Sequence, residues 1–145
     1  MVDTSYRFLD NWQTEIISGE YVIKERRDET LDGQIVLMPP SSNYWHCMVT
    51  MRITLIFDDF FKGTRNEVFR GCYLHLTESD IFIPDVQVVT DPSMVKENWI
   101  HGAPDLVAEV ILPLSAKNDR GYKKSVYEKC GVKEYWIVTV ENRTI

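Results

Sequence analysis

The run Pro104-Asp105-Leu106-Val107-Ala108-Glu109-Val110-Ile111-Leu112 constrains this chain more than any other stretch of it. Read as a strand, its side chains alternate, so Asp105, Val107, Glu109 and Ile111 share one face while Leu106, Ala108, Val110 and Leu112 share the other. Glu109 then stands in the middle of a strand that is apolar on both sides. An ionised carboxylate taken out of water is costly unless a cation, a metal or hydrogen-bond donors meet it, so a glutamate held there points to a charged site. A second Pro-Asp pair, Pro84-Asp85, opens another apolar strand at Val86-Gln87-Val88-Val89.

Two acidic residues entering from neighbouring strands, with a lysine close by, are what divalent-metal phosphodiester chemistry requires. Carboxylate oxygens hold Mg²⁺ or Mn²⁺, the ion polarises the phosphate and acidifies an attacking water, and an ammonium steadies developing negative charge. The common linear form of such a site is a Pro-Asp followed, some way on, by Asp or Glu, any residue, then Lys. Here Ile111 stands two residues after Glu109 and cannot do the lysine's work. The segment Asp119-Arg120-Gly121-Tyr122-Lys123-Lys124 is the nearest source of a replacement, through Lys123 or Lys124.

The segments GAPDLVAEVILPLS, DRGYKKSVYEKCGVKEYWIV and IPDVQVV, with ETLDGQIVLMPPS and a helix carrying His46 upstream, resemble the Uma-two family of endonucleases within the PD-(D/E)XK superfamily. The likeness runs from about Glu29 onward. It implies an α/β fold with a restriction-endonuclease-like core, a mixed central sheet flanked by helices. It also implies a metal-dependent endonuclease that hydrolyses nucleic acid, DNA in the first instance, with Mg²⁺ or Mn²⁺. The family's site falls on Asp85, Glu109 and Lys123, with Asp85 and Glu109 as the metal ligands. The chain departs from the family pattern at Leu112-Pro113-Leu114-Ser115, where Ser-Pro-Ser-Thr is usual, and at Thr139, where Asp is usual. It is also expected to lack the family's further C-terminal strands. The strongly apolar Tyr135-Trp136-Ile137-Val138 would then lie on an open edge that a second copy of the chain could cover, making a homo-oligomer.

Composition fits one domain over 1–145, with 44% hydrophobic and 26% charged residues. The net charge of −6 argues against tight binding through a phosphate-neutralising surface, so a nucleic acid would have to be met locally. It also keeps a second reading open, a catalytically degenerate nuclease fold acting as a binding or self-associating module, and a third, metal-dependent hydrolysis of a substrate other than nucleic acid. Cys47, Cys72 and Cys130 are odd in number and dispersed, as reduced thiols in a cytoplasmic protein would be. No run is apolar for the roughly 18 residues a membrane span needs, and the N-terminus lacks the pattern of an export signal.

Local patterns predict a helix around Phe8 to Ile17 and strands over Glu20–Lys24 and Gly33–Met38, with a polar turn centred on Arg26 to Glu29 between them. Ser42 is placed to cap a long helix over Tyr44–Phe61, whose Trp45, Val49, Ile53, Ile56 and Phe60 form one buried face. Glu67–Leu76, Ile81–Val89 and Asp105–Leu112 read as three strands, Asp119–Lys129 as a helix ended by Gly131, and Glu134–Val140 as a last strand parallel to the one before that helix.

Other candidates have plainer readings beside the functional one. Glu29 is a distal metal ligand or a turn residue. His46 reaches a phosphate or a metal-bound water, or is a satisfied structural histidine. Gln87 shares a strand face with Asp85 and would orient groups beside it. Asp105 starts its strand at ~13 Å from Glu109, counting ~3.3 Å per residue, too far for both to bind one ion. Tyr127, Tyr135 and Trp136 are placed in the core between the last helix and strand.

Overall fold

In this computed structural model the described residues are 12–17, 20–25, 27–38, 44–111 and 119–139. The expectations for Phe8 to Asn11, Ser42 and Leu112 to Ser115 fall outside them. The elements are β1 (Trp12–Ile17), β2 (Glu20–Glu25), β3 (Arg27–Leu31), β4 (Gln34–Met38), α1 (Tyr44–Phe61), β5 (Glu67–Arg70), β6 (Leu74–His75), β7 (Ile81–Phe82), β8 (Val86–Val89), β9 (Ile100–His101), β10 (Leu106–Ile111), α2 (Lys124–Cys130) and β11 (Glu134–Thr139). A turn of π-helix, Asp119–Lys123, leads into α2.

Two mixed sheets carry the site. One is ordered β11-β10-β8-β5 and the other β4-β3-β7-β6-β9, while β1 and β2 form a separate antiparallel pair. In the first sheet β10 is antiparallel to β8 and parallel to β11, the latter through the α2 crossover. Every residue of β10 is buried, as its doubly apolar pattern requires. One face of this sheet packs on α1, with Phe57, Val86, Val88, Leu106 and Ala108 buried together. On the other face Val89, Val107, Val126 and Tyr127 join Leu74, Phe82 and Ile100 of the second sheet in one core.

The two long strands expected over Glu67–Leu76 and Ile81–Val89 are each broken, and the breaks lie side by side. Gly71 takes a left-handed φ of 62°, and its N–H donates to the carbonyls of Pro84 (3.2 Å) and Asp85 (3.3 Å). Pro84 has no N–H to continue a ladder. Both chains therefore leave one sheet and enter the other here, β5 to β6 and β7 to β8, and a single central sheet becomes two. Asp85 stands at this crossing.

The N-terminal part corrects two further expectations. Trp12–Ile17 is a strand, paired from Trp12↔Glu25 to Ile17↔Glu20, not helix. Thr14, Ile16 and Ile17 are β-branched and suit that pairing. The predicted polar turn around Arg26 to Glu29 is largely strand β3, and the reversal occurs at Asp32-Gly33, whose φ values of 51° and 74° are both positive, as a two-residue hairpin turn requires. Glu29 thereby sits within a strand and is buried.

Helix α1 has its predicted bounds but not its predicted face. His46, Thr50 and Phe57 are buried, whereas Trp45, Ile56 and Phe60 are exposed at 56%, 64% and 75%. The helix is apolar almost all round, so periodicity alone does not select a side. Phe57 decides it by packing edge-on to Trp136, ring centroids 5.3 Å apart. The connection from Asp91 to Pro104 contains β9, paired in parallel with β6.

Candidate functional site

The ladder between β8 and β10 pairs Val88 with Leu106, Gln87 with Val107 and Val86 with Ala108. The ladder ends there, and Asp85, the residue just before β8, meets Glu109 and Val110 through side-chain to backbone hydrogen bonds instead of a further rung. Two hydrogen bonds tie Asp85 to β10. The Val110 N–H donates to Asp85 Oδ2 at 2.8 Å, and the Asp85 N–H points at Glu109 Oε2 at 3.4 Å. His46, brought in by the first turns of α1, places Nε2 3.1 Å from the Asp85 carboxylate, about equally near both oxygens.

Glu109 and Glu29 converge on one ammonium. Lys123 Nζ lies 2.8 Å from Glu29 Oε1 and 3.2 Å from Glu109 Oε1, and all three side chains are buried. The ammonium also stands 5.5 Å from the centre of the Phe82 ring. Glu29 Oε1 accepts a second bond from the Ile83 N–H at 2.8 Å. Glu29 comes from the second sheet, Glu109 from the first and Lys123 from the turn before α2, so this ion triad pins the three units together.

The pair Lys123-Lys124 divides as adjacent residues of a helical turn must, Lys123 buried and Lys124 exposed. Four residues on, Tyr127 is fully buried and its hydroxyl donates to Glu109 Oε1 at 3.0 Å. Burial first, then the electrostatic influence of Glu109, Tyr135 and Glu29, pushes its phenol well above the usual tyrosine range. It therefore acts as a fixed donor. Its place one turn after Lys123 predicts packing beside the lysine stem; the bond from its hydroxyl to Glu109 is what the spacing alone does not show.

A second anchor, Asp80, had no signal in the sequence, because two of its partners lie 48 and 42 residues away. Its Oδ1 accepts from the Asp32 N–H at 3.1 Å and from the Tyr122 hydroxyl at 2.8 Å, and its Oδ2 from Thr77 Oγ1 at 2.9 Å. Partial burial pushes this carboxyl up, but the bonds from Asp32, Tyr122, Thr77 and Ser79 outweigh that and hold it below the usual range. Burial, followed by the bond to Asp80 and its charge, raises Tyr122 to about 12. Asp80 thus clamps the hairpin carrying Glu29 to the turn carrying Lys123.

Two candidates lie apart from this cluster. Asp105 sits at the far end of β10, where it accepts from the Thr90 N–H at 2.9 Å and from Lys133 Nζ at 2.6 Å. It fastens the strand start to the β8 end and to the loop before β11. Gln87 is fully buried two residues from Asp85, its Nε2 donating to the Cys72 carbonyl at 3.0 Å, while its Oε1 has no hydrogen-bond partner. Among the described residues no group of three or more His, Cys, Asp or Glu side chains is arranged to hold a metal ion, and no helix is long and apolar enough to cross a membrane.

A family model described as "Uma2: Putative restriction endonuclease" matches residues 13–145. Among solved structures, the chain is similar to one described as a putative nuclease belonging to DUF820 from Anabaena variabilis, at 16% identity and a TM-score of 0.67, covering 80% of this chain and 68% of that one. No curated protein matches it.

Proposed function

The chain belongs to the Uma2 family of restriction-endonuclease-like proteins, and from that premise we propose that it hydrolyses phosphodiester bonds in nucleic acid, DNA in the first instance, with the help of Mg²⁺ or Mn²⁺. The observation that supports this reading most strongly is the contact of Asp85, at the start of β8, with Glu109 of β10, with the Lys123 ammonium 3.2 Å from Glu109. Carboxylate oxygens are the hard donors these ions take, and Mg²⁺ is commonly held by one or two carboxylates with water completing its shell. Asp85 and Glu109 would hold the ion, which when bound supplies polarisation of the phosphate and an acidified water.

The remaining groups prepare those carboxylates. The Val110 N–H and His46 orient Asp85, while Lys123 and Tyr127 fix Glu109 through one oxygen. Lys123 would offset charge that develops on the phosphate, and Glu29 keeps that lysine at the site by pairing with it from the other sheet. His46 is positioned to hold or pass a proton at the Asp85 carboxylate.

Titration with Mn²⁺ by calorimetry, combined with cleavage assays on duplex, single-stranded and structured DNA and RNA, tests the proposal. Wild type binds the ion and cleaves, Asp85→Asn and Glu109→Gln lose both, and Lys123→Ala loses turnover by orders of magnitude with ion affinity largely kept. Folded wild type that binds no ion would instead favour the degenerate binding module. Ion binding without cleavage of any nucleic acid would favour another substrate.

A further inference from the structure

The face of α1 turned away from the sheet is as apolar as the buried one. Met51, Leu55 and Ile56 are exposed at 45%, 60% and 64% in the middle of an 18-residue helix, an apolar surface of the kind that marks a docking site. Three charges stand on this side of the helix, Arg52, Asp58 and Asp59, all exposed, with Asp58 at the flank and Arg52 and Asp59 in line with each other. Residues seven apart on a helix lie on one line along its surface, about 10 Å from each other, which is too far to pair within the helix. The positions three and four residues from Arg52 on either side are Met48, Val49, Leu55 and Ile56, so no acidic neighbour on α1 can reach it.

We propose that this face is a homodimer interface in which α1 packs antiparallel on α1 of a second copy, about a two-fold axis passing between Leu55 and Ile56. Arg52 and Asp59 lie equally far on either side of that midpoint. An antiparallel two-fold brings Arg52 of each copy level with Asp59 of the other and closes two identical ion pairs around the central leucines and isoleucines. An isologous contact demands such self-complementarity, in which one residue meets another and is met by it in return. A charge pair spaced for this axis within a largely apolar stripe, with Asp58 at its flank also within reach of the partner's Arg52, favours a second copy over an unrelated partner. The inference is independent of the nuclease reading. Because the opposite face of the same helix carries His46 to Asp85, assembly would also brace the helix that positions the site.

Sedimentation equilibrium of the full chain across a wide concentration range tests it, with folding of each variant confirmed by circular dichroism. Wild type is expected to dimerise. Leu55→Glu should weaken the dimer about a hundredfold or more by burying two unpaired carboxylates. Arg52→Asp or Asp59→Arg alone should weaken it about tenfold or more, and the two combined should recover most of the wild-type affinity, because the exchanged charges still pair. A wild type that stays monomeric at every concentration overturns the proposal, whether another segment covers the face or it remains bare. So does a dimer indifferent to Leu55→Glu, as one built on the β11 edge would be, or a double variant no tighter than the singles.

Discussion

Replacing Lys123 by methionine keeps the length and most of the volume of the side chain and removes only the ammonium. Glu29 and Glu109, exposed at 2% and 4%, then lose the charge that lies 2.8 Å from one and 3.2 Å from the other. At an effective dielectric of about 20, contacts of that length correspond to gross attractions of about 5 to 6 kcal/mol each. Desolvation of all three groups offsets much of this, and removal of one member of a buried ion cluster generally costs about 3–5 kcal/mol. Lys123→Met should therefore lower stability by about 3–5 kcal/mol at neutral pH, whereas Lys124→Met, at an exposed site, should stay within about 0.5 kcal/mol of wild type. Urea unfolding followed by tryptophan fluorescence and far-UV circular dichroism measures both. Adding Glu29→Gln to Lys123→Met removes one of the stranded charges and should recover a substantial part of the loss. If Lys123→Met falls within about 1 kcal/mol of wild type, or Lys124→Met costs as much, the triad is not what joins the two sheets.

Tyr127→Phe retains the ring packing against Phe82 and Tyr135 but removes the donor to Glu109, which should cost about 1–3 kcal/mol in the same assay. In an alkaline absorbance titration of wild type, the Tyr127 phenol should ionise only after the protein begins to unfold, because burial and the charges around it resist ionisation. Asp80 is held below the usual carboxylate range, so its contribution is present above the unfolded value of about 4 and is lost as pH falls through its lower folded value. The melting-temperature gap between wild type and Asp80→Asn should accordingly narrow below about pH 4. Tyr122 shifts in the opposite sense. Its contribution is complete below the ordinary tyrosine value of about 10 and disappears as pH rises through its folded value of about 12, so wild type and Tyr122→Phe should converge at the alkaline end. Phe57→Ala should cost about 3–5 kcal/mol by opening a cavity between α1 and the sheet, and Phe60→Ala, three residues along the same helix, should change monomer stability by no more than about 0.5 kcal/mol.

The sequence by itself determined the elements whose patterns are locally unambiguous. The doubly apolar run around Glu109, read as a strand, had to be a buried one, and the α2 crossover to a following strand imposed the parallel β10–β11 pair. Adjacent helical residues diverge by about 100°, so one of Lys123 and Lys124 had to point inward and the other outward. Glu109 was legible as a candidate because a carboxylate in an apolar strand has few physical explanations, whereas Asp85 was marked by its Pro-Asp pair and by the family resemblance. Tertiary structure decided what depends on distant partners. Glu29 looked like a turn residue until Asp32-Gly33 took the reversal, and its meeting with Lys123 joins residues 94 apart in the chain. Asp80 gains its role from Asp32 and Tyr122, 48 and 42 residues away. The breaks at Gly71 and Pro84 were invisible as a pair, since each strand read alone is continuous and only their mutual hydrogen bonds divide the sheet in two. The same limit applied to α1, where an amphipathic pattern names a face only if the other side is polar. With both sides apolar, the choice fell to the sheet surface that Phe57 could fill.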